Sequence, residues 1–265
     1  MNAKFRERKN QPRLFSKMQN IIRILEVPKK ISELIAAGPK DKDKDCAELF
    51  QVAIKFLAYT TYKNGTSQQE LLPSVYTFLS LIPKNIDVTK LIANLYSQIK
   101  QTSECSELIK YIFEILNGYE ELEQIEPYHC QYLVILRTLI FDHYRNPIND
   151  NQRKIMANLM KNHLFNKAVS GVIEPKINES KDAAERRGEK MKSEKVTQIK
   201  FRVDFFVLFA NLAYESKIGV LQAKKILGYD QFKHCLMEPT TPFLLKKPYL
   251  RSLFHVIQHL RVSIF

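Results

Sequence analysis

Six histidines and four cysteines are the residues of this 265-residue chain best suited to chemistry, and their spacing argues against most of it. His255 and His259 stand four apart, the step that puts two imidazoles on one helix face, but no Glu or Cys nearby completes a zinc site. His129-Cys130 and Asp142-His143 are sequence neighbours, which diverge on a helix instead of converging as nucleophile and base. Cys46, Cys105, Cys130 and Cys235 form no C-x-x-C pair and sit among apolar residues, the pattern of reduced core thiols in a cytosolic or nuclear compartment. The chain has no G-x-S-x-G elbow, no phosphate-cradling G-x-x-x-x-G-K-[ST] loop, no H-E-x-x-H and no kinase set. The expectation is a protein that binds and does not catalyse, with no cofactor and no metal.

Binding chemistry is easier to find. Forty-one Lys and Arg against 28 Asp and Glu leave a formal charge of +13, which favours a polyanionic neighbour. Lys4, Arg6, Arg8, Lys9, Arg13 and Lys17 form a basic N-terminal segment able to hold phosphates or to face a partner. Residues 1–44 carry 12 basic and 5 acidic groups, residues 45–145 carry 8 and 12, and residues 224–261 carry 7 and 2. An acidic block between basic ends suits docking to acidic protein surfaces better than a continuous nucleic-acid track, so no specific nucleic-acid partner is expected.

The elements that must position these groups are helical. Seven Gly and no Trp weigh against glycine-dependent folds. Leu14, Phe15, Met18, Ile21, Ile22 and Leu25 recur at three- and four-residue steps, and Leu49, Phe50, Ala53, Ile54 and Leu57 do the same. Pro28 restarts a helix, Asn64-Gly65 marks a turn, a Ser67-x-x-Glu70 capping box opens the next segment, and Pro73 must kink it. Helices are expected at 87–100 capped by Asp87, at 103–117 between Ser103 and Gly118, at 127–145 and at 150–165. Nothing alternates with period two. The pattern predicts an all-α, armadillo-like α-solenoid of antiparallel helices.

Residues 1–12 read as a flexible basic start, 13–172 as an armadillo-like helical domain, 173–197 as a charged disordered linker, and 198–265 as a second helical segment continuing the solenoid. The linker's Arg186, Arg187, Lys190, Lys192 and Lys195 are interleaved with acids and read as a solvated spacer. No apolar run reaches the 18 to 20 or so residues of a membrane span, and the N-terminus lacks the apolar stretch of a signal peptide. The glycosylation sequons at Asn64 and Asn178 are therefore read as accidental.

The stretch from Ile199-Lys-Phe-Arg-Val-Asp-Phe-Phe-Val-Leu-Phe-Ala through His234-Cys-Leu-Met to Leu250-Arg-Ser-Leu-Phe-His-Val resembles the helical region that follows the ligand-binding core of inositol trisphosphate receptors. Gln19-Asn20-Ile21-Ile22 and the helices of 49–95 are similar to earlier parts of it, in the same order, from about residue 13 to the end. This is the homology region shared with ryanodine receptors, armadillo-like in fold. The resemblance implies a non-catalytic coupling module of an intracellular calcium-release channel, as fragment or stand-alone homologue, transmitting ligand-induced movement toward the pore. Its partners would be other channel domains or subunits, and its place the cytosolic face of the endoplasmic reticulum or a related calcium store. The alternative is a freestanding helical-repeat scaffold for an acidic protein.

The receptors' cations fall on Asn10, Pro12, Leu14 and Lys17, so one survives in register, and their Tyr-Arg-Lys triplet finds Tyr62-Lys63. Lys17, Tyr62 and Lys63 are thus the ligand-binding residues the resemblance implies. Several phosphates need convergent cations, and inositol trisphosphate is not expected to bind this chain alone.

Overall fold

The computed structural model describes residues 3–38, 44–97, 103–142, 146–170, 188–216 and 219–221, with Lys246, Lys247, Leu250, Arg251 and Phe254. For 3–13, 44–45, 166, 169–170 and 188–195 it describes the backbone alone. The described chain is helical, with no strand among the described residues and one isolated bridge between Phe141 and Pro147. It divides into two compact units, Met1–Ile99 and Lys100–Phe265.

In the first unit α1 (Ala3–Ile24), α2 (Val27–Ala37), α3 (Lys44–Thr61), α4 (Gly65–Leu71), α5 (Val75–Leu79) and α6 (Thr89–Leu95) surround a core of Ile54, Leu57, Phe78, Leu91 and Leu95. The backbone of α1 is helical from Ala3, through the segment expected to be loose. Pro12 removes one intrahelical bond there without preventing the turns on either side from keeping theirs. Pro73 does interrupt the chain, in a 3-10 turn at Leu72–Ser74 between α4 and α5.

The expected Ser67-x-x-Glu70 capping box does not form. Asn64 caps α4 instead, its Oδ1 accepting the Ser67 N–H at 3.2 Å, while Glu70 pairs with Arg23 at 3.0 Å. The Asn64-Gly65 turn signal is itself the helix start, because an Asn with extended backbone reaches the third N–H of the helix. Asp87 acts one residue before the cap of α6, accepting the Thr89 N–H at 2.9 Å.

The second unit holds α7 (Ser103–Asn117), α8 (Cys130–Thr138), α9 (Asn149–Leu159), α10 (His163–Ser170) and α11 (Gly188–Ala213). Helix α7 has the bounds its sequence predicts. The helix expected over 127–145 is shorter: a 3-10 turn at Pro127–His129 leads into α8, and the Phe141–Pro147 bridge ends the segment. The helix expected over 150–165 is broken at Asn162, whose Oδ1 accepts the Phe165 N–H at 3.0 Å and starts α10.

Phe201, Phe205, Phe206, Leu208, Phe209 and Leu212 are all essentially without solvent exposure, and α11 packs on α8, α9 and α10. The described part of the C-terminal helical segment, as far as Ala213, thus shares its core with α8, α9 and α10, and the division of the chain falls at Ile99–Lys100 and not at the charged insert. The backbone is already helical from Gly188, within the expected linker. Its Glu, Lys and Met residues lack the apolar surface for burial but are good helix formers. Residues 173–187 lie outside the described residues.

Candidate functional site

The polar residues that organise both units are amides. The last turn of a helix leaves carbonyls without an intrahelical partner, and those ending α3 are met by side chains from neighbouring helices. Gln19 of α1 donates Nε2–H to the carbonyls of Tyr59 (2.7 Å) and Tyr62 (3.0 Å). Gln68 of α4 reaches Thr61 (2.7 Å), and Asn94 of α6 reaches Ala58 (2.7 Å). The second unit repeats the device: Gln152 of α9 donates to the Tyr214 carbonyl past the end of α11 (3.0 Å), and Asn151 to that of Leu139 past α8 (2.9 Å). Gln19 enters the sequence reading only through the family resemblance and Gln68, Asn94, Asn151 and Gln152 not at all; the available signal was an amide at a position where a helix face is otherwise apolar.

The residues implied by the resemblance lie beside the first of these locks. Tyr62 and Lys63 directly follow α3, with Lys63 in left-handed backbone (φ 54°) and its Nζ 5.4 Å from the centre of the Tyr62 ring. Lys90 stands similarly over Tyr59, at 4.8 Å. The structure therefore brings Tyr62 and Lys63 together as a cation–π pair. Lys17 is exposed on α1, two residues before Gln19, and two residues turn a helix by about 200°. It leaves α1 on the side away from the Gln19–Tyr62 contact. Side chains of Asn10, Pro12 and the cations Lys4, Arg6, Arg8, Lys9 and Arg13 lie outside the described residues, as do Cys235, His255, His259, His143, Asn178 and the basic linker residues.

A cleft of about 510 Å³ opens in the second unit, lined by Val134, Arg137, Thr138, Phe141, Asp142, Asn211, Tyr214 and Arg251. Its walls come from the end of α8, the turn after it and the end of α11, which Gln152 holds in place. Phe141 and Tyr214 meet edge to face at 5.9 Å. Asp142 accepts the Asn146 N–H at 2.8 Å and its Nδ2–H at 3.1 Å, which closes the turn. Val134 and Phe141 are the cleft's apolar lining, with two guanidinium groups, the hydroxyls of Thr138 and Tyr214, the Asn211 amide and the Asp142 carboxylate around them.

Behind the cleft, Arg137 pairs with Asp204 of α11 at 3.6 Å. Burial raises the Asp204 carboxyl above the usual range despite Arg137, Lys200 and a hydrogen bond from Cys130. Burial, and then the charge of Asp204, push the Cys130 thiol up to about 12. At neutral pH such a thiol is protonated. Cys130 is a packed thiol, buried at the start of α8. The described cysteines, Cys46, Cys105 and Cys130, form no disulfide.

His129 faces elsewhere. It is buried, its Nδ1 accepts the Glu126 N–H at 2.8 Å, and its ring lies 4.4 Å from Tyr119 and 4.2 Å from Tyr128. With Nδ1 accepting, the proton sits on Nε2, which has no hydrogen-bond partner. Burial lowers its pKa below the ordinary 6.5, against the opposing pull of Glu126. The unfolded chain then takes up a proton first, so His129 withdraws stability as pH falls through 6.5. His129→Gln keeps a box acceptor, as Gln124 does for the Glu121 N–H at 3.0 Å, but cannot titrate. Urea unfolding at pH 7.5 and 5.5 should show the wild type losing more stability on acidification than the variant; equal losses would mean that His129 does not contribute to the acid sensitivity.

Among the described residues no group of three His, Cys, Asp or Glu side chains is placed to hold a metal ion, and no helix is long and apolar enough to cross a membrane. No family model, no curated protein and no solved structure matches the chain.

Proposed function

We propose that the chain is a non-catalytic, armadillo-like helical module of an inositol trisphosphate or ryanodine receptor-type calcium-release channel, on the cytosolic face of a calcium store, passing ligand-induced movement toward the pore. The observation that carries this reading is the burial of α11. The segment 199–212, where the resemblance is densest, forms the core of the second unit and ties α8, α9 and α10 into one packed body. A packed helical body of this kind moves as a unit, which is what rigid-body coupling requires. The protonated Cys130 and the caged His129 give those residues structural roles and leave the module to act through its surfaces. Other channel domains or subunits are its partners.

A second reading, a freestanding scaffold for an acidic protein, draws on the cleft with Arg137 and Arg251. The two readings differ in the polypeptide that carries the module. An antibody raised against residues 103–170 should detect, in a denaturing gel of native membranes, a chain several times heavier than 31.0 kDa. A band near that mass in the supernatant alone would overturn the channel reading in favour of the scaffold.

A further inference from the structure

Helix α1 has two faces of different character. One is fixed to the unit: Gln19 holds the end of α3, and Arg23 holds Glu70 of α4. The other carries Leu14, Met18 and Ile21 at helical spacing, continued by Leu25 in the turn that follows, and these four side chains are 57% to 62% exposed. Their sequence periodicity predicts a buried stripe, and the structure turns it to solvent instead. Four large apolar side chains in line on one helix are a contiguous patch and not scattered surface residues, and such patches mark interaction sites. Ile24, also on α1, is exposed to a similar degree.

The charge of this helix is one-sided. Its sequence holds Lys4, Arg6, Arg8, Lys9, Arg13, Lys17 and Arg23 against Glu7 alone, and Lys17 is exposed three residues from Leu14 and one from Met18. A cationic amphipathic helix of this kind binds anionic surfaces, the apolar stripe entering the headgroup boundary while Lys and Arg meet the phosphates. A second copy of the chain would bring a helix of the same sign against it. A helix-binding groove takes up the apolar face with its flanks, and the Gln19 and Arg23 contacts hold the opposite side of α1 against its own unit. A flat surface meets the free stripe without breaking them.

We propose that the exposed face of α1 docks the protein on an anionic lipid bilayer, through Leu14, Met18, Ile21 and Leu25 with Lys17 alongside. The inference stands on the first unit alone and does not depend on the channel reading.

Co-sedimentation of the full chain with vesicles tests it. Vesicles with about 30% phosphatidylserine in phosphatidylcholine should pull down the protein at low salt, and pure phosphatidylcholine vesicles should not. The double variant Met18→Glu, Ile21→Glu should bind the anionic vesicles at least about tenfold more weakly, since it puts carboxylates on the face that enters the headgroups. Both positions are exposed, so its helical circular dichroism and melting temperature should match the wild type. Lys17→Glu, which leaves the stripe untouched, should weaken binding about fivefold or more. Absence of binding to anionic vesicles, or binding unchanged in both variants, would overturn the proposal. So would loss of binding in Lys17→Glu with full binding in the double variant, which would reduce the contact to charge alone.

Discussion

Replacing Phe205 with Ala should lower the unfolding free energy of the second unit by about 3 to 5 kcal/mol, the range for truncating a fully buried Phe without refilling the space. Phe205 has no solvent exposure, and its ring lies 4.8 Å from that of Phe201 and 5.7 Å from that of Phe165. Phe165 in turn meets Phe209 at 5.5 Å, so the cavity would open where α10 is held on α11. Urea unfolding followed by circular dichroism should show an earlier midpoint with an unchanged slope. Leu34→Ala on α2, at a position 68% exposed, serves as the control and should change stability by no more than about 0.5 kcal/mol. A Phe205→Ala loss under about 1 kcal/mol would mean that α11 is not the centre of this unit.

The second large effect belongs to a residue with no side chain. After α11 the chain turns sharply through Glu215, whose backbone is left-handed (φ 49°), and Gly219 comes back against the last turn of the helix. A β-carbon at Gly219 would collide with the Leu212 carbonyl oxygen and stand 2.9 Å from that carbonyl carbon and 3.0 Å from the Ala213 Cα. These are backbone atoms and cannot rotate away as a side chain would. Gly219→Ala should therefore cost about 1 to 3 kcal/mol, the usual penalty of forcing extra volume into a packed site. The same variant should loosen the turn at Tyr214, whose carbonyl Gln152 holds, so proteolysis near residue 214 should quicken. A melting temperature equal to the wild type would show that the backbone has room to shift.

Much of this architecture was legible in the residues. Helix periodicity placed α7 to the residue, and the apolar run from Ile199 marked α11, because a period of 3.6 survives whatever the neighbours are. Burial was harder to read. Leu14, Met18 and Ile21 have the same spacing as core residues and face solvent, and Leu49 on α3 is 66% exposed while Ile54 and Leu57 are buried. Spacing reports that a face is apolar and carries no information about what covers it. Some helix ends also escaped: Asn64 and Asn162 are caps whose N–H partners lie only three residues on, among several polar residues able to cap, while Gln19 and the carbonyls it satisfies are some 40 positions apart and meet only through tertiary packing. Phe201 and Phe205 lie in the stretch that carries the family resemblance and turn out to be core. That resemblance therefore speaks to packing. The ligand residues it implies, Lys17, Tyr62 and Lys63, sit in the other unit.

On the proposed channel reading, this module couples ligand binding to a pore. The direct measurement is calcium release from the native store on release of caged inositol trisphosphate, in cells whose own gene carries Gly219→Ala, with protein level and store filling checked to be normal. If the second unit passes movement to a pore, release should fall severalfold, because the end of α11 is no longer held. Release indistinguishable from the wild type, with the module destabilised in the purified protein, would contradict it.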